Sequence, residues 1–228
     1  MAARRARAHA DAAGLPALSP DRPLDGATLG FAALMLGRFS DAACRQGRPG
    51  TLLWVRRPRG VFDAPPYAPG LVPWLDPARL LLVTVDREED LFWVLEEALR
   101  TPGIAAVLGE SRGADLTAAR RLSLAVEKNG VPALLLHPRP APPQGACATR
   151  WRVRPLPSRS TPGLRDLGPP RWRLELRRNR FGAPSAEEIP TWDVEWSDEA
   201  RHLAVVPQTV GRASSPSGPG HNAARLVG

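Results

Sequence analysis

Leu80-Leu81-Leu82-Val83-Thr84-Val85 is a continuous apolar run of strand length, and the residues after it switch abruptly to helical spacing. A strand covered on both faces reads this way, because neither side of its pleat meets water. Asp86, with Glu89 three residues on, forms a capping-box-like start, and Leu91, Leu95, Ala98 and Leu99 recur at intervals that share one helical face. Thr101-Pro102-Gly103 stops the helix, and residues 104–108 (IAAVL) return as a strand. From Asp115 a second helix carries Leu116, Ala119, Leu122 and Val126 on one side and ends at Asn129-Gly130, before residues 131–136 supply another strand. Buried strands joined through helices in this rhythm predict an α/β fold with a mostly parallel central sheet, flanking helices and right-handed crossovers.

Upstream of the quoted run, Asp25 is placed to cap a helix bearing Leu29, Ala32, Ala33 and Leu36, and residues 51–55 (TLLWV) form another buried strand. The Pro/Gly-rich stretch 57–77 reads as holding no regular element. Beyond His137 the period becomes two. Trp151 and Val153 alternate with Arg150, Arg152 and Arg154; Trp172, Leu174 and Leu176 with Arg171, Arg173, Glu175 and Arg177; Trp192, Val194 and Trp196 with Asp193 and Glu195. Half-exposed antiparallel strands extending the sheet are the expected outcome. Residues 1–24, rich in Arg and Ala, read as a flexible arm, 25–206 as one core domain, and 207–228, rich in Ser, Pro and Gly, as a disordered tail.

No apolar run approaches the roughly eighteen residues that span a bilayer, and the N-terminus lacks the regions of a secretory signal. A cytoplasmic protein without membrane attachment is expected. Cys44 and Cys147 form no CxxC pair, which predicts free thiols, and no metal-ligand spacing occurs. The net charge is +8. Residues 150–180 hold ten arginines against Asp166 and Glu175, so this window carries the whole surplus. Lys128 is the single lysine, and it follows no glycine-rich turn. A phosphate-binding P-loop needs G-x-x-x-x-G-K-[ST], since backbone N–H groups cradle the phosphates while the lysine reaches their outer oxygens. No stretch of the chain supplies it.

The segments YAPGL, LDPARLLLV, EEALR, AAVLGE, DLTAARRLSLA, ATRWRV, PRWRLELRRNR and WDVEW, in this order, resemble the ImuA family over roughly residues 26–202. The resemblance implies a RecA-like core in a bacterial DNA-damage-response protein. It further implies partners: an ImuB-like homologue of Y-family polymerases, RecA, and an error-prone polymerase III α-type subunit. Where RecA has its phosphate-binding turn, the matching residues are Gly26, Ala27 and Thr28, with Ala27 in the lysine's place and Asp25 set to repel phosphate. Glu110 or Gly109 falls where RecA presents a metal-associated aspartate, and Arg56-Arg57 stand where a water-activating carboxylate belongs. The likeness therefore implies a degenerate nucleotide site, no bound cofactor and no ATPase activity. Residues 178–184 are similar to a RecA segment that reaches across a subunit interface, which makes Arg178 and Arg180 candidate partner contacts.

A non-catalytic adaptor acting through partners is the leading expectation; its rivals are a single-stranded DNA-binding degenerate recombinase and a cell-division inhibitor like SulA. Arg171, Arg173 and Arg177 are the candidate DNA or partner contacts, through phosphate neutralisation, against a reading in which they pair across strands with Asp193 and Glu195. Trp151, Trp172, Trp192 and Trp196 could stack bases, but alternation with charge favours the core. Glu96 and Glu97 diverge by about 100° on a helix and read as a solvated face. His137 ends a strand, where α/β sheets place ligands, and reads more simply as structural.

Overall fold

The computed structural model describes residues 14–22, 26–57, 64–113, 116–137, 139, 147–159, 168–180, 189–199 and 201–206. Among these residues nine strands form one sheet: β1 (Pro16–Pro20), β2 (Thr51–Arg56), β3 (Leu80–Thr84), β4 (Ile104–Glu110), β5 (Ala133–Leu136), β6 (Thr149–Leu156), β7 (Arg171–Asn179), β8 (Thr191–Ser197) and β9 (His202–Val206). The helices are α1 (Gly26–Arg45), α2 (Ala68–Leu71), α3 (Glu88–Arg100) and α4 (Leu116–Asn129), with a 3-10 turn at Pro77–Arg79. The strand order is β3-β2-β4-β5-β1-β6-β7-β8-β9. Pairing is parallel from β3 through to β6 and antiparallel from β6 to β9. The expected mixed sheet with an antiparallel extension is thus observed.

Handedness distributes the helices. The chain runs from β1 through α1 to β2 and on to β3, moving toward one edge, and then returns through α3 and α4 to β4 and β5. Right-handed crossovers that travel in opposite directions lie on opposite faces. Accordingly Phe31, Leu34 and Leu36 of α1 pack with Leu52, Trp54, Leu108 and Leu136 on one side. Leu91, Leu95 and Leu99 of α3 and Leu122 of α4 pack with Leu53, Val107 and Leu135 on the other. Each fully buried leucine stabilises the fold by about 1.5–3 kcal/mol, which explains why the central strands are apolar at consecutive positions. At Gly37 of α1 a Cβ would overlap the Trp74 carbonyl oxygen, so glycine is what lets the segment after α2 lie against this helix.

Several sequence expectations need correction. The flexible arm expected over residues 1–24 contains β1, which is the centre of the sheet and pairs with both β5 and β6. Leu15, Ala17 and Leu18 are among the most buried residues. Its prolines, Pro16 and Pro20, stand at the first and last positions of the strand, so its interior positions keep their N–H groups. Residues 1–13, the tail at 207–228, and the helix-start residues Asp25 and Asp115 lie outside the described residues.

The stretch 57–77 holds α2 and the start of the 3-10 turn, which Asp76 caps by accepting from the Ala78 N–H at 3.0 Å. The quoted run around β3 is an edge strand, half-exposed instead of covered on both faces, with Leu81 50% exposed. Arg87, not Asp86, is the N-cap of α3, and its side chain makes no capping bond. Leu116 points into solvent, while Ala119, Leu122 and Val126 of the expected stripe are buried. Glu96 is buried, unlike the solvated face expected for it, and pairs with Arg100 of its own helix and with Arg121 of α4 at 2.5 Å.

Candidate functional site

Ligands of open α/β sheets settle outside the C-terminal ends of the strands, where neighbouring crossovers diverge. Here that place lies between β2 and β4: the chain leaves β2 toward the β3 edge and leaves β4 in the opposite direction. Arg56 is the last residue of β2 and Glu110 the last of β4, and the two strands are direct neighbours.

The crevice is filled by the protein's own side chains. Trp54 Nε1 donates to Glu110 Oε1 at 2.8 Å, and Arg56 Nε lies 3.9 Å from the same oxygen. Arg56 and Glu110 are 4% and 9% exposed. Burial pushes the Glu110 carboxyl above its ordinary value; the Trp54 hydrogen bond and the Arg56 charge oppose this more weakly.

A second cluster borders the first. Glu88, in the first turn of α3, accepts from Ser111 Oγ at 2.6 Å, from the Arg112 N–H at 3.0 Å and from Arg57 Nη1 at 2.6 Å. An acidic residue here also suits the helix dipole. Arg57 in turn donates to the Asp86 carbonyl from Nε and Nη2. His137, following β5, donates from Nδ1 to the Ser111 carbonyl at 2.9 Å, so its Nε2 carries the lone pair and has no partner among the described residues. Burial holds this imidazole below the usual histidine range.

Gly26, Ala27 and Thr28 form the start of α1, which follows β1. The Ala27 carbonyl accepts from Trp172 Nε1 at 3.0 Å, and Thr28 is buried. Sequence reasoning placed these residues and Glu110 in one degenerate site. They belong to the same edge of the sheet, but β5 stands between β4 and β1, so about 10 Å of sheet separates the two strands. Among the described residues no group of His, Cys, Asp and Glu could hold a metal ion.

The arginine-rich strands carry the other candidate contacts. Arg171 Nε lies 3.1 Å from Glu195, Arg173 meets Asp193 with two bonds of 2.7 and 2.9 Å, and Arg177 lies 3.5 Å from Glu175. Arg152 and Arg154 share Asp21 and Glu175. These five arginines are matched by four acids. Asp21, which the sequence reading assigned to a flexible arm, is brought to this place by β1, which it directly follows. Arg178 pairs across the sheet with Arg150, where a bulge in β7 shifts the register, and the Arg180 N–H donates to the Ala148 carbonyl. Arg178 and Arg180 thus sit apart from Arg171 and Arg173, at the other end of β7, and residues 181–188 of the expected interface segment lie outside the described residues. Trp151, Trp172 and Trp196 are buried in the core as the alternation indicated, with Trp192 half-buried against Trp151.

The fold and this edge define an α/β protein with a mixed nine-stranded sheet whose ligand crevice is closed by an internal Arg–Glu–Trp set. No protein-family model matches the chain. It is 42% identical over 146 residues to Protein ImuA from Caulobacter vibrioides, in strain NA1000 / CB15N and in strain ATCC 19089 / CIP 103742 / CB 15, covering 59% of this chain and 58% of each relative. That similarity supports the ImuA family. The match spans 58% of the length of those curated relatives. Among solved structures, SulA from Pseudomonas aeruginosa is similar at a TM-score of 0.41 and 21% identity, over 54% of this chain and 96% of that one. No described helix is long and apolar enough to cross a membrane.

Proposed function

We propose that this chain is a non-catalytic, RecA-like adaptor of a bacterial DNA-damage-induced mutagenesis machinery. It works by protein–protein contact with an ImuB-like homologue of Y-family polymerases, with RecA and an error-prone polymerase III α-type subunit as further members of the assembly. The similarity to Protein ImuA supports the setting. The observation that carries the adaptor reading is the closed crevice, in which Glu110 is held by Trp54 and Arg56. A carboxylate that must orient a metal-bound water needs an open face, and this one is buried beside a guanidinium. The missing lysine and phosphate cradle act in the same direction.

Direct DNA binding is the weaker reading. An arginine face that neutralises phosphates needs charges free to release counterions, whereas Arg171, Arg173 and Arg177 are matched by Glu195, Asp193 and Glu175.

Co-purification tests the proposal. The full chain, and a version lacking residues 207–228, would each be co-expressed with an ImuB-like protein or with a tubulin-like division protein. Stoichiometric retention of the ImuB-like protein is expected. Retention of the division protein instead would favour the SulA-like rival and refute the adaptor reading.

A further inference from the structure

α3 and α4 cover one face of the sheet side by side, and their outer surface is unusual for a layer that meets water. Leu91, Leu95 and Leu99 of α3 turn to the sheet, so at about 100° per residue Trp93 points the opposite way. It is 63% exposed. On α4, Leu122 and Val126 turn inward, and Leu124, opposite them, is 56% exposed. A tryptophan is seldom left this open, and apolar side chains rimmed by charge mark an interaction surface.

The two helices carry opposite charge. α3 holds Glu88, Glu89, Asp90, Glu96 and Glu97 against Arg100, a net of −4. α4 holds Arg120, Arg121 and Lys128 against Glu127, a net of +2. Part of this charge is already matched: Glu96 meets Arg121 at 2.5 Å and Arg100 as well, Arg100 also meets Glu97 at 2.9 Å, and Glu89 meets Arg87. Asp90 and Glu97 flank Trp93 on the exposed side of α3. Arg120 is exposed on the outer side of α4 and has no acidic partner among the described residues.

We infer that this surface joins two copies of the chain face to face, with α3 of each lying on α4 of the other. Both helices are crossovers between neighbouring parallel strands, so they run in the same direction. A two-fold axis along the groove between them therefore sets α3 over the second copy's α4, acid on base, twice over. The two-fold at right angles to the helices would set α3 on α3. The Glu96–Arg121 contact fixes the relative height of the helices, so Glu97 and Arg120 stand within one turn of each other. Rotation about an axis parallel to the helices keeps that height. Glu97 of each copy then meets Arg120 of the other, and Trp93, one turn further on, covers the turn at Thr117 within reach of the same guanidinium. The chain's +8 surplus does not oppose this approach, because it lies in residues 150–180, on the half of the sheet away from these helices.

Sedimentation velocity of the full chain over a range of concentrations tests the inference. No ImuB-like protein or DNA is added, so a negative result leaves the adaptor reading untouched. The wild type should move from one to two chain masses as concentration rises. Trp93→Ala, Glu97→Arg and Arg120→Glu each change an exposed side chain, and each should raise the dimer dissociation constant by roughly tenfold or more with unchanged far-ultraviolet dichroism. Glu97→Arg combined with Arg120→Glu reverses both charges and should return the constant to within about threefold of the wild type. A wild type that stays monomeric at high concentration would overturn the inference. So would a dimer that the single variants leave intact, or a folded double variant that fails to recover it.

Discussion

Trp54 and Glu110, on adjacent strands β2 and β4, are joined by an indole-to-carboxylate hydrogen bond of 2.8 Å in a place with no access to solvent on the tryptophan side. The bond holds a buried carboxylate that burial itself disfavours. Trp54→Phe keeps the aromatic ring and removes the donor. It should destabilise the protein by about 1–3 kcal/mol in urea denaturation at neutral pH, the range for leaving a buried polar group unsatisfied.

Glu110→Gln should reveal the same cost through pH. The carboxyl is raised above 4.5 in the folded protein, mainly by desolvation. The wild type is therefore favoured below pH 4.5, where both folded and unfolded chains are protonated, and loses stability as pH rises through the folded pKa. Denaturation midpoints across this range should show the glutamine variant gaining on the wild type as pH rises. A gap that is constant with pH would contradict the buried placement.

His137 titrates in the opposite sense. Burial lowers its pKa from 6.5, so the stability tied to its neutral form is complete above pH 6.5 and is lost as pH falls toward the folded value, while the unfolded chain takes up the proton. His137→Asn should flatten the fall in stability just below pH 6.5. An unchanged slope would mean that His137 does not contribute.

How much of this was legible in the sequence depended on distance along the chain. The helical stripes of α3 and α4 and the inward Trp151, Trp172 and Trp196 were readable, because period alone assigns a face. β1 was not, since five residues bounded by prolines have no period of their own and become a strand through pairing with β5 and β6, more than a hundred residues away. The edge position of β3 was equally hidden: an apolar run indicates a strand, but its neighbours follow from sheet order. The candidate site suffered for the same reason. Arg56 and Glu110 were singled out separately, and their meeting, like that of Asp21 with Arg152 and Arg154, depends on strands brought together by the fold.

The Arg173–Asp193 pair offers a test of the charged face. Asp193 is held below its usual range by the Arg173 hydrogen bonds, so its contribution is present above pH 3.8 and is lost as pH falls through the folded value. Arg173 is 37% exposed, which screens the pair. Asp193→Asn should cost on the order of 0.5–1 kcal/mol at low salt and less at high salt, measured by urea denaturation.

Gly37→Ala should be costlier than its size suggests. The added Cβ meets the Trp74 carbonyl, and either α1 or the segment after α2 must move. A loss of about 1–3 kcal/mol is expected in thermal or urea denaturation, whereas Gly26→Ala, with open space around it, should be near neutral.

Isothermal titration of the full chain with MgATP is the most direct test of the central claim that the crevice is closed to nucleotide. The closed Trp54–Glu110–Arg56 arrangement predicts no saturable heat and no turnover above background. Saturable binding at micromolar nucleotide, with hydrolysis lost in Glu110→Gln, would contradict it.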